Sequence, residues 1–360
     1  MENSKIIERI ENIKNKKSKF LFFVPDVTEP SASIYEIFYH AHLMKNEGYD
    51  VKLLVNGESI EKPYWIEDSI LDVEIQNASN IKLKVGAEDV VVIPEILTNV
   101  FEQTKNIPSI RIGLLQSFDY MLNGLLPGSN WGQFGIKNVF TTSETLKHYF
   151  ENTMGNYYDV KVFDVGIPSY FENKIKNKKP TIPIVYRNKN DITKIVKLFY
   201  MKYPQYSWLS FDGMVYSETD DIKQLSRQDF AKKLDESFAA VWIDRISSFG
   251  TFPLECYKTK TFPIGLIPDI KPDYIDKETI KYGYWAENIY EIPDMIANVL
   301  GHYLEDSDFI SKMNDNFESI NKKYRQEDQK DDIVGLYVEL LNDRLETLEK
   351  SLKSKENEEK

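Results

Sequence analysis

The chain has 360 residues, of which 42% are hydrophobic, and a formal net charge of −12. This length fits two domains of ordinary size better than one core. The excess of acidic residues repels polyanions at long range, which disfavours nucleic acid as a partner. Cys256 is the only cysteine, so we expect a reducing compartment and exclude a cysteine-based zinc site.

The apolar runs of the chain are short. The longest, such as residues 20–25 and 90–94, fall far below the length of a bilayer span, and the N-terminus is charged rather than signal-like. We therefore expect no transmembrane segment and a cytoplasmic location. Residues 5–17 form an amphipathic helix pattern with three isoleucines on one face, which either packs on the first domain or makes peripheral contact with an anionic membrane.

The first half of the sequence begins with a strand–loop–helix–strand pattern. An apolar run ends at Pro25, a polar loop and a helical pattern follow, and a second strand covers residues 51–55. Such a unit indicates a parallel sheet with a right-handed crossover. Ligands bind at the carboxyl ends of such strands, so the loop 26–33 with Ser31 is expected to face a cleft. The loop has no glycine-rich phosphate pattern, so it does not support nucleotide binding there.

Further strand and helix patterns complete a Rossmann-like half. Gln116 and Asp119 follow a strand at its carboxyl end and are candidate substrate contacts, while Tyr120 and Trp131 are candidates for stacking on a sugar. Ser143 is predicted to cap a helix. The histidines fall within helical patterns, where we expect packing or surface roles: His40, His42, His148 and His302.

The second half repeats this alternation. A Lys-, Asn- and Pro-rich stretch at residues 171–180 predicts a linker between an N-terminal domain of residues 1–170 and a C-terminal domain of residues 181–328. Residues 329–350 form an amphipathic helix pattern, and the charged tail 351–360 is expected to be frayed.

The segment 242–268 carries the strongest local signal. It reads as an apolar strand, a turn of small residues, a helix start and a second apolar run. Such a turn directs unpaired backbone N–H groups and the positive end of the helix dipole to one point, which suits a phosphate. Thr251 is a candidate N-cap, and Pro253 is tolerated in the first turn. The candidate donor-binding residues are Ser247, Ser248, Phe249, Gly250, Thr251 and Glu255.

This Phe-Gly turn, followed by a Pro-Leu-Glu helix start and a strand, resembles the donor site of retaining GT-B glycosyltransferases of the family-4 type. The resemblance implies an α/β fold of two Rossmann-like, doubly wound domains, with an interdomain cleft and a C-terminal crossover helix that returns to the first domain. It also implies a nucleotide-diphosphate sugar as donor, with Glu255 accepting hydrogen bonds from the ribose. As an alternative role, Glu255 favours the helix N-terminus electrostatically.

The sequence departs from that family at Ser247, where the family has a first Glu. The role of this Glu is either dispensable here, taken over by Asp244, or lost together with activity. Asp244 also has the option of pairing with Arg245, and both residues are candidate substrate contacts.

Two cations follow the first strand of the second half. The resemblance implies that Arg187 and Lys189 bind phosphate, although their spacing is shorter than in the family. Cations there would neutralise the leaving diphosphate, and transfer needs that stabilisation more than a strong base. Lys194 is the substitute for Lys189, and a solvated basic loop is the alternative explanation.

No metal or resident cofactor is expected. The one Asp-x-Asp pattern, at residues 306–308, falls in a helical stretch rather than after a strand. The sequence thus predicts metal-independent transfer, with the nucleotide sugar as co-substrate and a glycan, lipid-linked glycan, protein or modified base as acceptor. Two alternatives remain open: a catalytically degenerate sugar-binding or scaffolding protein, and a nucleotide-sugar epimerase, which would require acid/base carboxylates and histidines in the cleft.

Overall fold

The computed structural model describes residues 2–25, 30–55, 62–78, 84–186, 188–215, 225–243, 245, 250–272, 274–275, 283–305 and 317–358. The chain divides into two units. The first comprises Met1–Thr28, Ala32–Phe163 and Lys330–Lys360, and the second comprises Glu29–Ser31 and Asp164–Gln329.

The first unit is built on a parallel sheet. Its described strands are β1 (Lys19–Val24), β2 (Asp50–Val55), β3 (Glu74–Asn77), β4 (Val90–Pro94), β5 (Ile110–Leu115), β6 (Asn138–Thr141) and β7 (Asp159–Val162). They lie in the order β3-β2-β1-β4-β5-β6-β7, and every pairing is parallel. Strands β4 and β5 are buried along their whole length, and their sequences are apolar apart from the buried Arg111 in β5. The strand order reverses between β1 and β4.

Helices cover the sheet of the first unit. They are α1 (Glu2–Lys14), α2 (Ala32–Asn46), α3 (Thr98–Gln103), α4 (Phe118–Asn123), α5 (Glu144–Met154) and, from Lys330 onward, the terminal helix α10 (Gln326–Glu358). Three of the four isoleucines of α1, Ile6, Ile10 and Ile13, are buried, so this apolar face packs within the protein. Ser143 caps α5 as predicted, because its side chain accepts a hydrogen bond from the Leu146 N–H at 3.1 Å.

The terminal helix packs on this sheet through one large side chain. The buried ring of Tyr337 lies 5.6 Å from that of Phe20 and 5.9 Å from that of Phe22, and its hydroxyl is 3.1 Å from Nδ1 of His40. Full burial of an aromatic side chain contributes about 1.5–3 kcal/mol. The end of the chain thus returns to the first unit, as expected of a C-terminal crossover helix.

The second unit has its own parallel sheet. Its described strands are β8 (Thr181–Tyr186), β9 (Ser210–Val215), β10 (Ala239–Ile243), β11 (Phe262–Leu266) and β12 (Tyr284–Ala286), in the order β12-β11-β10-β8-β9. Its helices are α6 (Lys189–Lys202), α7 (Arg227–Glu236), α8 (Thr251–Lys258) and α9 (Ile292–Glu305). The strand order reverses between β8 and β10. Both units are therefore doubly wound α/β sheets, as predicted.

The stretch at residues 171–180 is packed on the second unit. Lys178 is buried, with Nζ 3.2 Å from Oδ1 of Asp235 and donating to the Thr259 carbonyl at 2.7 Å. The same carboxylate accepts the backbone N–H of Lys174 at 3.1 Å. A buried charge needs such partners, so Asp235 organises a stretch whose composition suggested an exposed linker. The predicted domain boundaries stay a prediction.

Candidate functional site

The second unit places the ends of β8 and β10 side by side. Strands β8 and β10 are neighbours although β9 separates them in sequence, and Tyr186 is the register partner of Ile243. In open parallel sheets, ligands bind beyond the carboxyl ends of strands at such a reversal. Arg187 and Asp244 are the next residues along the chain, and both lie outside the described residues.

The predicted phosphate-binding turn is described from Gly250, at the start of α8. Gly250 is the N-cap residue with φ 71°, and its carbonyl accepts a hydrogen bond from the Tyr274 hydroxyl. A Cβ at this position would lie 2.7 Å from the Trp242 ring, so both backbone and space require glycine. The prediction of Thr251 as N-cap was wrong by one residue, because Gly250 takes that place. Residues 247–249 lie outside the described residues.

Glu255 is buried in α8 beside an arginine that sequence reasoning missed. Nη2 of Arg227 donates to Oε1 of Glu255 at 2.8 Å, and the Glu255 side chain is 2% exposed. Burial raises the pKa of Glu255, while Arg227 and the Thr251 side chain oppose that shift. Arg227 opens α7, where a cation faces the positive end of the helix dipole. This unfavourable placement of a positive charge is the feature of the sequence that could have indicated a special role for Arg227.

The other candidate cations of this unit have different surroundings. Lys189 is exposed and begins α6, whose N-cap Asn188 accepts the Asn190 N–H at 2.9 Å. Lys194 lies 3.6 Å from the carboxylate of Asp191 within the same helix. Arg245 is exposed and donates to the Glu287 carbonyl at 2.9 Å. Lys189 is the first residue of α6, and its phosphate-binding role stays a prediction.

Two of the predicted substrate contacts, Gln116 and Asp119, lie in the first unit just after β5 in the sequence, while Ser31 belongs to the second unit. Gln116 is buried and donates through Nε2 to the Ser33 carbonyl at 3.2 Å. Asp119 lies half-buried in the first turn of α4, and Ser31 is half-buried just before α2 in the sequence. These positions agree with the expected carboxyl-end location, while their contacts with substrate stay a prediction.

Trp131 is a core residue. Its ring is fully buried and lies 5.0 Å from that of Phe101 and 5.2 Å from that of Phe150. Gly113 in β5 leaves the space that this indole fills. The prediction that Trp131 stacks on a sugar was therefore wrong. Tyr120 is half-buried in α4, so its stacking role stays a prediction.

Glu95 is a second functional candidate that sequence reasoning missed. It follows β4 directly, is 2% exposed, and accepts the Ser117 N–H through Oε1 at 2.9 Å. Its Oε2 has no hydrogen-bond partner within the part of the chain that the structure describes. Burial raises the pKa of Glu95 to about 8, so its carboxyl group is largely protonated at neutral pH. The feature of the sequence that could have indicated Glu95 is a charged residue directly after the apolar run VVVIP.

The histidines have the packing and surface roles that were expected of helical positions. His40 is fully buried beside Tyr337, and burial lowers its pKa to about 3. His42 is 2.9 Å from Oδ1 of Asp72, and His148 is 3.0 Å from the Asn152 amide. Neither of these two contacts involves a candidate site residue.

Two structural features bear on metals and membranes. Among the described residues, no group of three or more His, Cys, Asp or Glu side chains is arranged to hold a metal ion. The Asp-x-Asp pattern at residues 306–308 lies outside that part of the chain. No helix within the described ranges combines the length and apolar character needed to cross a bilayer.

Neither a protein-family model nor a curated protein sequence matches this chain. Solved structures do match it. The pneumococcal O-GlcNAc transferase GtfA, in complex with UDP and GlcNAc, has a TM-score of 0.64 at 10% identity, over 91% of this chain and 99% of that one. Sucrose-phosphate synthase from Thermosynechococcus elongatus has a TM-score of 0.62 at 11% identity, over 91% and 100%. The chain has the GT-B glycosyltransferase fold.

A third match extends the comparison. Anabaena HepE, in complex with UDP and glucose, has a TM-score of 0.61 at 10% identity, over 89% of this chain and 99% of that one. The GT-B fold predicted from residues 242–268 is thereby confirmed. Identities near 10% establish the GT-B fold alone, and a fold hosts more than one function. The chemistry of this chain must be argued from its own residues.

Proposed function

We propose that this protein is a glycosyltransferase that moves a sugar from a nucleotide-diphosphate sugar to an acceptor. The observation that carries the proposal is the register of β8 and β10 at the strand-order reversal of the second unit. Tyr186 and Ile243 are paired, and in the sequence the cations Arg187 and Lys189 follow one strand while the small-residue segment 247–250 follows the other. A diphosphate needs both features at one place.

The chemistry follows from the charge that develops on the leaving group. When the bond between sugar and diphosphate breaks, negative charge grows on the diphosphate oxygens. In the proposal, Arg187 and Lys189 neutralise that charge, and the N–H groups of residues 248–251 donate to it. Glu255 binds the donor ribose. Retention of anomeric configuration and independence from metal ions belong to the proposal, and UDP is the first nucleotide to test because two similar solved structures contain it.

A sugar-binding or scaffolding role is the second candidate. The observation that favours it is Ser247, which stands where the resembling family has a carboxylate. A scaffold of this kind would bind nucleotide without turnover. The epimerase alternative has less support, because His40 packs in the first unit's core and, within the described residues, His42 and His148 are hydrogen-bonded to Asp72 and Asn152.

The test is ligand-dependent thermal unfolding followed by a turnover assay. UDP at one hundred times its dissociation constant should stabilise the wild type by about 2.7 kcal/mol. We expect this shift to disappear in Arg187→Ala and to persist in Lys197→Ala, a matched control on the exposed face of α6. Binding without release of UDP from any UDP-sugar would favour the scaffold. A wild type that responds to no nucleotide would overturn the transferase proposal.

A further inference from the structure

The ion pair between α7 and α8 is unusually enclosed for charged residues. The side chains of Arg227 and Glu255 are 11% and 2% exposed, and their closest atoms are 2.8 Å apart. A second layer supports the arginine. Its Nε donates to the Tyr170 hydroxyl at 3.3 Å, and its guanidinium carbon lies 5.4 Å from the centre of the Phe171 ring.

Such a pair adds little to folding stability. Removing two charges from water costs several kcal/mol per ion, and the attraction between them roughly offsets this cost. Hydrophobic residues of similar volume would stabilise the unit as well or better. An enclosed, supported pair at the start of α8 is therefore better explained by what its carboxylate binds than by its effect on the fold.

Among the described residues, the protein partners of Glu255 leave part of its acceptor capacity unused. An ionised carboxylate offers about four lone-pair positions. The named donors to Glu255 are the Arg227 guanidinium and the Thr251 side chain. A protonated Glu255 would lose acceptor capacity and gain a donor, so its ligand preference depends on the charge that Arg227 supplies.

We propose that Arg227 is a positioning residue for the nucleotide donor, holding Glu255 as an oriented carboxylate whose remaining lone pairs accept hydrogen bonds from the ribose hydroxyls. This inference rests on the proposed donor site of the second unit. Arg227 thereby keeps Glu255 able to accept hydrogen bonds from the ribose. Recognition of the ribose therefore depends on a residue that does not contact it.

The test compares the affinities of UDP and 2′,3′-dideoxy-UDP by isothermal titration calorimetry. Each hydrogen bond to a charged group contributes about 1.5–3 kcal/mol, so the wild type should bind UDP at least roughly 10-fold more tightly than the dideoxy analogue, which lacks both hydroxyls. Arg227→Met should reduce this ratio to near one, and Arg227→Lys, which keeps the charge, should restore part of it. Arg325→Met, on an exposed arginine of the same unit, should leave the ratio unchanged.

A variant lacking both charges separates binding from folding. Arg227→Met leaves Glu255 buried without its ion partner and should lower the melting temperature. Arg227→Met combined with Glu255→Met should recover that stability without recovering the preference for UDP. A normal preference in either variant would overturn this inference.

The outcomes also distinguish this inference from the function on which it rests. If the wild type binds UDP, Arg187→Ala abolishes binding and Arg227→Met keeps the full preference for UDP, then the donor site stands and the role of Arg227 is wrong. If the wild type binds neither UDP nor any other nucleoside diphosphate, both proposals fail. Loss of the preference with Arg227→Met and its partial return with Arg227→Lys would support both.

Discussion

The two strand-order reversals of this protein have similar topology and opposite chemistry. At the reversal in the first unit, the residue that follows β4 is Glu95, a buried carboxyl group whose pKa is raised to about 8. At the reversal in the second unit, the chain continues from β8 into Arg187 and Lys189. Topology marks where a ligand can bind in such a sheet. The charge of the residues that follow the strands then determines which kind of ligand fits there.

The largest expected effect concerns the cations that follow β8 in the second unit. Arg187→Ala should lower kcat for sugar transfer by about 10²- to 10³-fold, because it removes a cation from the developing diphosphate charge. Steady-state release of UDP from a UDP-sugar measures this effect, with Lys197→Ala as the matched control. An unchanged kcat in Arg187→Ala would mean that Arg187 does not stabilise the leaving diphosphate. The proposed chemical difference between the two reversals would then be wrong.

The next effect is the contribution of Glu95, the buried carboxyl group at the reversal of the first unit, to the free energy of unfolding. The folded chain keeps Glu95 protonated up to about pH 8, whereas the unfolded chain releases that proton near the ordinary value of 4.5. The folded state therefore binds more protons between these values, so this group's contribution to the free energy of unfolding falls as pH rises from about 4.5 to 8. At about 1.4 kcal/mol per pKa unit, the loss amounts to several kcal/mol.

Glu95→Gln isolates that contribution because an amide does not titrate. Urea unfolding at a series of pH values should show the wild type losing stability relative to this variant as pH rises. Equal pH dependence of the two proteins would mean that Glu95 has an ordinary pKa. The two reversals would then differ less than we infer.

A smaller effect is expected at the turn before α8. Gly250→Ala places a side chain at φ 71° and 2.7 Å from the Trp242 ring, so we expect destabilisation of about 1–3 kcal/mol. Gly301 in α9 has open space around it, and Gly301→Ala should stabilise by about 0.5–1 kcal/mol. Thermal unfolding of both variants checks this contrast, and similar melting temperatures would contradict it.

The smallest expected effect is a loss of stability in the first unit that leaves UDP binding by the second unit unchanged. Ser117 caps α4 by accepting the Tyr120 N–H at 3.4 Å. Ser117→Ala should cost about 1 kcal/mol of stability, as other lost caps do, while the affinity for UDP stays unchanged. A large loss of UDP affinity in this variant would assign nucleotide binding to the first unit.

Local patterns accounted for most of the fold. The buried strands at residues 90–94 and 110–115 and the cap at Ser143 depend on neighbouring residues, and a single sequence contains that information. The GT-B fold followed from one segment whose turn, helix and strand occur in order. Thr251 was misplaced as N-cap because the left-handed conformation of Gly250 shifts the helix start by one residue.

Long-range pairing accounts for what the sequence did not reveal. Arg227 and Glu255 belong to different helices, and no periodic pattern links residues so far apart. Trp131 seemed available for a sugar because the space left by Gly113 is visible only in three dimensions. The environment of Glu95 likewise depends on Ser117, the second residue after β5, which contacts it only once the sheet has formed.

The most direct test of the central claim is hydrogen–deuterium exchange with and without UDP. Binding at the reversal of the second unit should slow exchange in peptides covering residues 181–192 and 243–256. Peptides covering residues 92–120 should be unaffected. Protection of residues 92–120 instead, or no protection at a UDP concentration that saturates binding in calorimetry, would contradict the assignment of the donor site to the second unit.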